Sequence, residues 1–261
     1  MAKNQNYTLG RGKVYFSRFI AATQTPEGFE YIGNTPELSF TIESENLDHF
    51  SSDAGVREKD ASVPLQTNRT GAFTTDAINP ENIAYFFFGS RSLVTIVGGA
   101  VVDESVPNVV EGRYYQLGQS AANPTGARPI TAVTVEIAPA TSVAASGNWE
   151  VDLTTGILHI LKPAAAIADG DDLLVSYTAT AGTREQILSG TEPIEGALKF
   201  IADNPEGHDF NYDMPWVKIT PNGDYNLKGE EWQVIPFSLE ILKKAAAEAI
   251  YVDGLPFTYE L

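Results

Sequence analysis

Alternation of apolar and polar residues predicts the first strands of the chain. In the stretch ELSFTIE, residues 37–43, Leu38, Phe40 and Ile42 share one face, and serine and threonine occupy the other. The stretch GKVYFSRFIAA, residues 12–22, is rich in the β-branched and aromatic residues that strands favour. The two stretches therefore predict strands with one buried face.

The residues between this strand pattern and the next one lack any apolar period. A strand pattern returns at ASVPLQT, residues 61–67, where Pro64 confines the strand to a sheet edge or to a strand end. Residues 43–62 between them are charged and rich in serine. Loops of this length without structure of their own are uncommon and are usually functional or disordered. We therefore expect a long polar loop that orders only against a second copy of the protein.

A helical signal follows in DAINPENIAYFFFG, residues 76–89. Asn79 is a suitable N-cap, Pro80 suits the first helical position, and Gly89 can close the end. The sequence predicts one short helix whose aromatic residues, Tyr85 to Phe88, belong to the core rather than to a ligand platform.

The composition of the chain changes at about residue 93, where valine, alanine, threonine and glycine become the main residues. Residues 130–138, 148–161 and 171–180 predict a strand, a hairpin and a further strand, each bounded by turn residues. Short strands with this spacing are typical of a small sandwich. We expect an Ig-like module over residues 93–187, inserted into a host domain of residues 1–92 and 188–261, with Trp149 in its core.

The last third predicts a hairpin over residues 216–242. Asn222-Gly223 is a strong turn signal, and the second strand places Ile235, Phe237, Leu239 and Ile241 on one face. Trp216 and Trp232 are expected to pack in the core. Two further strands are expected around Asp253-Gly254. The predicted fold class is mainly β: a β-sandwich or barrel with one short flanking helix, carrying the inserted sandwich.

Charge and composition exclude several functions. The net charge of −17 argues against wrapping nucleic acid, since phosphate is bound through lysine and arginine. The chain has no cysteine, so a disulfide framework and a thiol nucleophile are excluded. The longest uncharged apolar run, residues 93–102, is about half of a membrane span, and the start has no apolar signal region. We expect no membrane insertion.

No catalytic signature is visible. The three histidines, His49, His159 and His208, accompany no G-x-S-x-G elbow and no H-E-x-x-H helix. A triad assembled from distant residues stays open, because its members need not be adjacent in sequence. The best cation candidate is the oxygen-rich set Asp203, Glu206, Asp209 and Asp213, although a solvated acidic loop is the favoured interpretation. We expect no enzyme, no cofactor and no metal.

The order of these pieces is similar to that of the major tail tube proteins of long-tailed bacteriophages. The resemblance covers residues 1–92 and 188–261 and is carried by GKVYFSRF with GNTPELSFTIE, the long polar loop, DASVPLQTNRTGAFTTD, NPENIAYFFFG and EEWQVIPFSLEIL. The insertion, with GNWEVDLTTGILHI and LLVSYTA, resembles small β modules that phage structural proteins carry on their outer surface.

The resemblance implies a structural virion protein, assembled in the host cytoplasm, whose copies form hexameric rings stacked into the tail tube. Its other partners would be the tail terminator, tape measure and baseplate or distal tail proteins, and DNA would pass through the lumen without specific binding. By position, the polar loop would contact a neighbouring ring. The stacking residues would be Glu43, Glu45, Asp48, His49, Asp53, Arg57, Glu58, Lys59 and Asp60.

An acidic lumen would repel the phosphate backbone and let duplex DNA slide. Glu43, Glu195 and Asp203, which border predicted strands, are the candidates for lumen-facing acids. Two other classes stay open: a β-sandwich adhesin or carbohydrate-binding protein, which would be a monomer with glycan affinity, and a β-sandwich hydrolase of polysaccharides.

Overall fold

The computed structural model describes residues 7–53 and 55–254. It is mainly β, which confirms the predicted class. The elements of the first half are β1 (Gly12–Arg18), β2 (Glu30–Tyr31), β3 (Glu37–Ser51), β4 (Glu58–Thr75), α1 (Pro80–Phe86), β5 (Ser90–Ile96), β6 (Gly99–Val106), β7 (Tyr114–Gln116) and β8 (Ile130–Ile137). Those of the second half are β9 (Thr141–Val143), β10 (Trp149–Asp152), β11 (Ile157–Ile160), β12 (Leu173–Ala179), β13 (Gly182–Leu188), β14 (Ile194–Ala202), β15 (Phe210–Pro221), β16 (Ile235–Ile241) and β17 (Tyr251–Gly254).

The chain divides into two compact units. Unit 1 comprises residues 1–91 and 187–261, and unit 2 comprises residues 92–186. The predicted limits were 1–92 with 188–261 for the host domain and 93–187 for the insertion. β5 and β13 pair with each other where the chain passes between the units.

Unit 1 is built on one eight-stranded antiparallel sheet. Its strand order is β2-β1-β14-β15-β16-β4-β3, and β17 pairs with β15. Phe40 of β3 lies 6.0 Å from Tyr212 of β15 between ring centroids. These two strands are three positions apart in the sheet, about 14 Å if the sheet were flat. The sheet therefore curls around its own core in the manner of a partial barrel.

The core of unit 1 lies on the inner face of this sheet. The four residues predicted for the buried face of β16, Ile235 to Ile241, are all buried, which confirms that pattern. Phe237 stacks on Phe73 with ring centroids 5.0 Å apart. Each fully buried side chain of this size contributes roughly 1.5–3 kcal/mol through the hydrophobic effect.

Helix α1 packs on this core through Tyr85 and Phe86, whereas Phe87, also expected in the core, is 42% exposed. The Asn79 side chain accepts a hydrogen bond from the backbone N–H of Asn82 at 2.8 Å, which confirms the N-cap. Tyr85 is buried and its ring meets Phe16 edge-on at 5.3 Å. Burial raises the pKa of the Tyr85 hydroxyl far above its usual range. At the other end, Gly89 donates its backbone N–H to Ala84 at 2.7 Å.

The connection between β15 and β16 differs from the predicted tight turn. The two strands pair as expected, but Pro221 lies opposite Phe237, so residues 222–234 form the connection. Trp232, expected in the core, lies in this segment and is 94% exposed. The packing prediction for Trp232 is therefore wrong. Trp216 lies in β15, and its indole N–H donates to Glu195 Oε2 at 3.1 Å.

Near the carboxyl end, the predicted turn at Asp253-Gly254 is a strand instead. Both residues lie in β17, where Asp253 pairs with Asn211 and Gly254 with Phe210. The second strand expected after them falls outside the described residues.

Unit 2 is a two-sheet sandwich. One sheet has the order β6-β12-β8-β9 and the other β10-β11-β7. In an immunoglobulin domain the first two strands share a sheet. In unit 2 the first two strands of the sandwich, β6 and β7, lie in different sheets. Unit 2 is therefore a sandwich, but its strand order differs from that of an immunoglobulin domain.

The core of unit 2 fills the space between its sheets. Trp149 is buried there, as predicted, and its indole N–H donates to the carbonyl of Val143 at 3.1 Å. The Tyr177 hydroxyl donates to Glu104 Oε2 at 2.7 Å. Burial, and then the Glu104 carboxylate, raise the pKa of Tyr177.

Candidate assembly interface

The segment expected to be a polar loop is a long β-hairpin, so the loop prediction is wrong. β3 and β4 pair from Glu37 opposite Thr74 to Ser51 opposite Glu58. β4 also pairs with β16, but only over Thr70–Thr75. Residues 43–51 and 58–68 therefore form a two-stranded ribbon, and the segment 43–68 is named the hairpin arm here. The nine residues of β3 in this ribbon extend it by about 30 Å.

The physical reason for the wrong prediction is that the arm has no buried side. A strand reveals itself in sequence when apolar residues alternate on the face that packs against a core. In the arm both faces are exposed, and nearly every residue from Glu43 to Asn68 is exposed to solvent. Polar and charged residues can then occupy either face without cost, so no period is left to detect.

Local polar contacts hold the hairpin arm together. Asp48 Oδ1 accepts a hydrogen bond from the Ser62 hydroxyl at 2.6 Å and lies 2.7 Å from Lys59 Nζ. Hydrogen bonds from Lys59 and Ser62 lower the pKa of Asp48. His49 Nδ1 contacts Asp60 Oδ1 at 2.5 Å. Exposed ion pairs contribute only about 0–1 kcal/mol each, and an isolated two-stranded hairpin is marginal in water.

Two register shifts interrupt the arm. They fall between Glu45 and Asn46 and between His49 and Phe50. Pro64 lies opposite Asn46 at the first shift, where β4 pairs with β3 alone among the described strands. A bulge and a proline are devices that keep an edge strand from pairing indiscriminately. The predicted confinement of Pro64 to an edge is confirmed.

The arm nevertheless carries exposed apolar side chains. Leu47 and Val63 are direct cross-strand partners, 62% and 57% exposed, so they form one apolar pair on one face. Further large apolar residues exposed in the arm are Phe50, Val56 and Leu65. Exposed apolar groups on an element with no core of its own make the arm a candidate contact surface.

All nine residues predicted for ring stacking lie in the hairpin arm. Asp53 and Arg57 belong to the turn, and the Arg57 guanidinium lies 5.7 Å from the centroid of the Phe50 ring. The others lie on the strands: Glu43, Glu45, Asp48, His49, Glu58, Lys59 and Asp60. Sequence reasoning missed Leu47 and Val63, although an alternation of apolar residues in 61–65 was visible.

The outer face of the unit 1 sheet is polar and open. One row of cross-strand neighbours crosses five strands: Thr41, Thr70, Glu240, Lys218 and Glu195. A neighbouring row consists of Ser39, Ala72, Ser238 and Thr220. Paired residues of adjacent strands share a face, so these side chains all lie opposite the core.

Two of the three candidate lumen acids share this outer face. Glu43 lies two residues beyond Thr41 on β3, and Glu195 ends the row on β14. Glu195 lies 3.6 Å from Lys218 Nζ, so its charge is partly balanced. Asp203 follows the end of β14, and its backbone N–H donates to Arg11. Sequence reasoning missed Glu240, although the alternation of β16 places it opposite the buried face.

The cation candidates are engaged in other contacts. Asp213 Oδ2 lies 2.8 Å from Lys199 Nζ, and Asp209 Oδ1 accepts the backbone N–H of Asn204 at 2.8 Å. Within residues 7–53 and 55–254, no group of three or more acidic or histidine side chains is arranged to hold a metal ion. The histidines lie on separate elements, and the ring of His159 stacks on Tyr114 at 4.1 Å.

The fold and the arm define a class: a mainly-β protein of two units, one of which projects a long hairpin. Residues 7–249 match the model of the family described as protein of unknown function UCP028589, and the chain belongs to this family. A comparison with curated proteins returned no match. In the part of the chain that the structure describes, no helix has the length and apolarity to cross a membrane.

Proposed function

We propose that this protein is a non-enzymatic structural subunit of a bacteriophage tail tube. Six copies close a ring through unit 1, and rings stack through the hairpin arm. The tube is a passage for DNA, which the protein does not bind specifically. The tail terminator, tape measure and baseplate proteins of the same tail are the proposed partners at the tube ends.

The observation that carries the proposal is the hairpin arm. It reaches about 30 Å beyond the sheet, a span comparable with the diameter of a small domain. Leu47 and Val63 expose apolar surface that the monomer leaves in water. A second copy of the chain would cover this surface and would add the contacts that a two-stranded ribbon lacks.

The outer face of the sheet supports the proposal that DNA passes through the tube without specific binding. Its two rows hold serine, threonine, Glu195 and Glu240 with one lysine, Lys218, so these described residues form no basic cluster to which phosphate could bind. Lys199 and Lys218, the lysines of β14 and β15, pair with Asp213 and Glu195. A lumen lined by this face would therefore repel duplex DNA or leave it free to slide.

Unit 2 fits a module added to such a subunit. It has two sheets and a core of its own, and β5 and β13, at its two ends, pair with each other. Such an insertion interrupts the sequence of the host domain, but the host sheet can still form as one continuous sheet.

The test is an arm-shortened variant. Removing residues 46–65 and closing Glu45 to Gln66 with an Asn-Gly turn keeps the register at the base of the arm, because these two residues are cross-strand partners. We expect a folded protein whose circular dichroism remains β-rich and whose sedimentation shows no tubes. The matched control is Asn46→Ala, an exposed arm residue, which should assemble like the wild-type protein.

Tubes of normal length from the arm-shortened variant would overturn the stacking role. A wild-type protein that stays monomeric and binds a glycan array would favour the adhesin alternative instead.

A further inference from the structure

Among the described residues of unit 1, the most exposed large apolar side chain is that of Trp232. It is 94% exposed, although tryptophan is among the side chains most often buried at least in part. Leu227, in the same connection, is 70% exposed. An exposed tryptophan lacks the stabilisation that burial of its large apolar surface would give. Trp232 is therefore a candidate for contact with a partner.

The segment that carries Trp232 is anchored at both ends. Tyr225 packs against Phe86 of α1 with ring centroids 5.6 Å apart, and its hydroxyl donates to Gln233 Oε1 at 3.5 Å. The backbone N–H of Asn222 donates to the carbonyl of Pro236 at 3.1 Å. Trp232 is therefore presented by a loop already fixed in shape, which lowers the entropy lost on binding.

Unit 1 also has an apolar groove at another place. It has a volume of about 430 Å³, within the range of pockets that hold small organic groups. Its apolar lining consists of Phe40, Ile42, Tyr212, Ala249, Ile250 and Val252. Two of these residues, Tyr212 of β15 and Val252 of β17, are cross-strand partners.

The charges around the exposed Trp232, named the knob here, are complementary to those around the groove. Arg69 lines the groove, and within residues 7–53 and 55–254 its guanidinium makes no ion pair and no hydrogen bond. The acid beside it, Glu248, is occupied by Lys243 at 3.1 Å. Glu230 and Glu231 precede Trp232 and have no ion pair within the described residues. Arginine also stacks favourably on the indole face.

We propose that Trp232 of one copy inserts into the groove lined by Arg69 of the next copy. The inference rests on the proposed assembly and names the contact within its rings. The two surfaces differ, so the contact is head-to-tail, and contacts of this type build rings when the rotation closes. Arg69 then contacts the indole and the carboxylates of Glu230 and Glu231.

The test uses the absence of cysteine from the natural chain, which removes background cross-linking. One copy carries Lys228→Cys, which leaves Glu230, Glu231 and Trp232 in place, and a second copy of different mass carries Val252→Cys at the groove. A short bis-maleimide should link the two copies. Adding Trp232→Ala to the first copy should lower the linked fraction about tenfold or more, the loss typical of an interface hot spot.

The matched control replaces Val252→Cys by Val102→Cys on unit 2. Val102 is 71% exposed against 50% for Val252, so its thiol is at least as accessible, and we expect no linked product. The same samples are imaged for rings. Rings without a 228–252 link, or a link that Trp232→Ala leaves unchanged, would overturn the knob-and-groove contact while the tube proposal stands. A Trp232-dependent link without rings would sustain the contact and contradict the tube.

Discussion

At the scale of single residues, the buried amide of Asn82 connects helix α1 to the sheet. Asn82 is 1% exposed, and its Nδ2 donates to the carbonyls of Ile32 at 2.7 Å and Ala77 at 2.8 Å. The sequence predicts the N-cap at Asn79, because capping depends on the spacing of neighbouring residues. It could not show the role of Asn82, because Ile32 lies 50 positions away in the chain.

We expect Asn82→Ala to destabilise unit 1. The carbonyls of Ile32 and Ala77 each lose one of two donors, since Ile32 keeps the Thr75 hydroxyl at 3.4 Å and Ala77 keeps the backbone N–H of Asn79 at 3.1 Å. A lost hydrogen bond costs about 0.5–1.5 kcal/mol, so the loss of both should cost about 1–3 kcal/mol. Urea denaturation followed by circular dichroism measures the loss. Asn46→Ala, at an exposed position, should change the free energy of unfolding by no more than about 0.5 kcal/mol. Equal stability of the two variants would contradict the assigned role.

At the scale of elements, the two kinds of strand differ in what their sequences reveal. The inner face of β16 could be predicted because it packs on a core. Along the strand, less buried residues therefore alternate with the buried ones: Ile235, Phe237, Leu239 and Ile241. The hairpin arm has no such face, so its strands read as a loop. The connection after β15 differs for another reason: the chain bends at Gly223, but the whole of residues 222–234 separates the two strands.

Protonation of Asp48 by acid should loosen the hairpin arm. The pKa of Asp48 is lowered from 3.8 by its hydrogen bonds with Lys59 and Ser62. The ionised carboxylate therefore stabilises the hairpin above the unfolded pKa, and this contribution is lost as the pH falls through the lower folded pKa. Amide hydrogen exchange of the monomer should show faster opening of residues 43–68 in Asp48→Asn than in wild type at pH 7.

The difference between the two proteins should vanish at a pH well below 3.8, where the wild-type carboxyl is also neutral. Ser39→Ala, on the part of β3 that is inside the sheet, serves as the control and should leave arm exchange unchanged. Equal exchange of Asp48→Asn and wild type at pH 7 would show that the Asp48 contacts do not hold the arm.

At the scale of the whole molecule, the net charge of −17 opposes any assembly of identical copies. Repulsion between exposed charges acts over a Debye length, which is about 30 Å at 0.01 M salt and about 8 Å at physiological ionic strength. Apolar contacts such as those of Leu47, Val63 and Trp232 are not weakened by salt. Assembly driven by them should therefore strengthen as the salt concentration rises, whereas binding to DNA would weaken.

The most direct test of the central claim is negative-stain electron microscopy of the purified protein over a range of concentrations, at low and at physiological salt. We expect hollow six-fold rings that stack into tubes, with longer tubes at the higher salt. We expect no stacked tubes from the arm-shortened variant under the same conditions. Dispersed monomers of the wild-type protein at every concentration and both salt levels would contradict the claim.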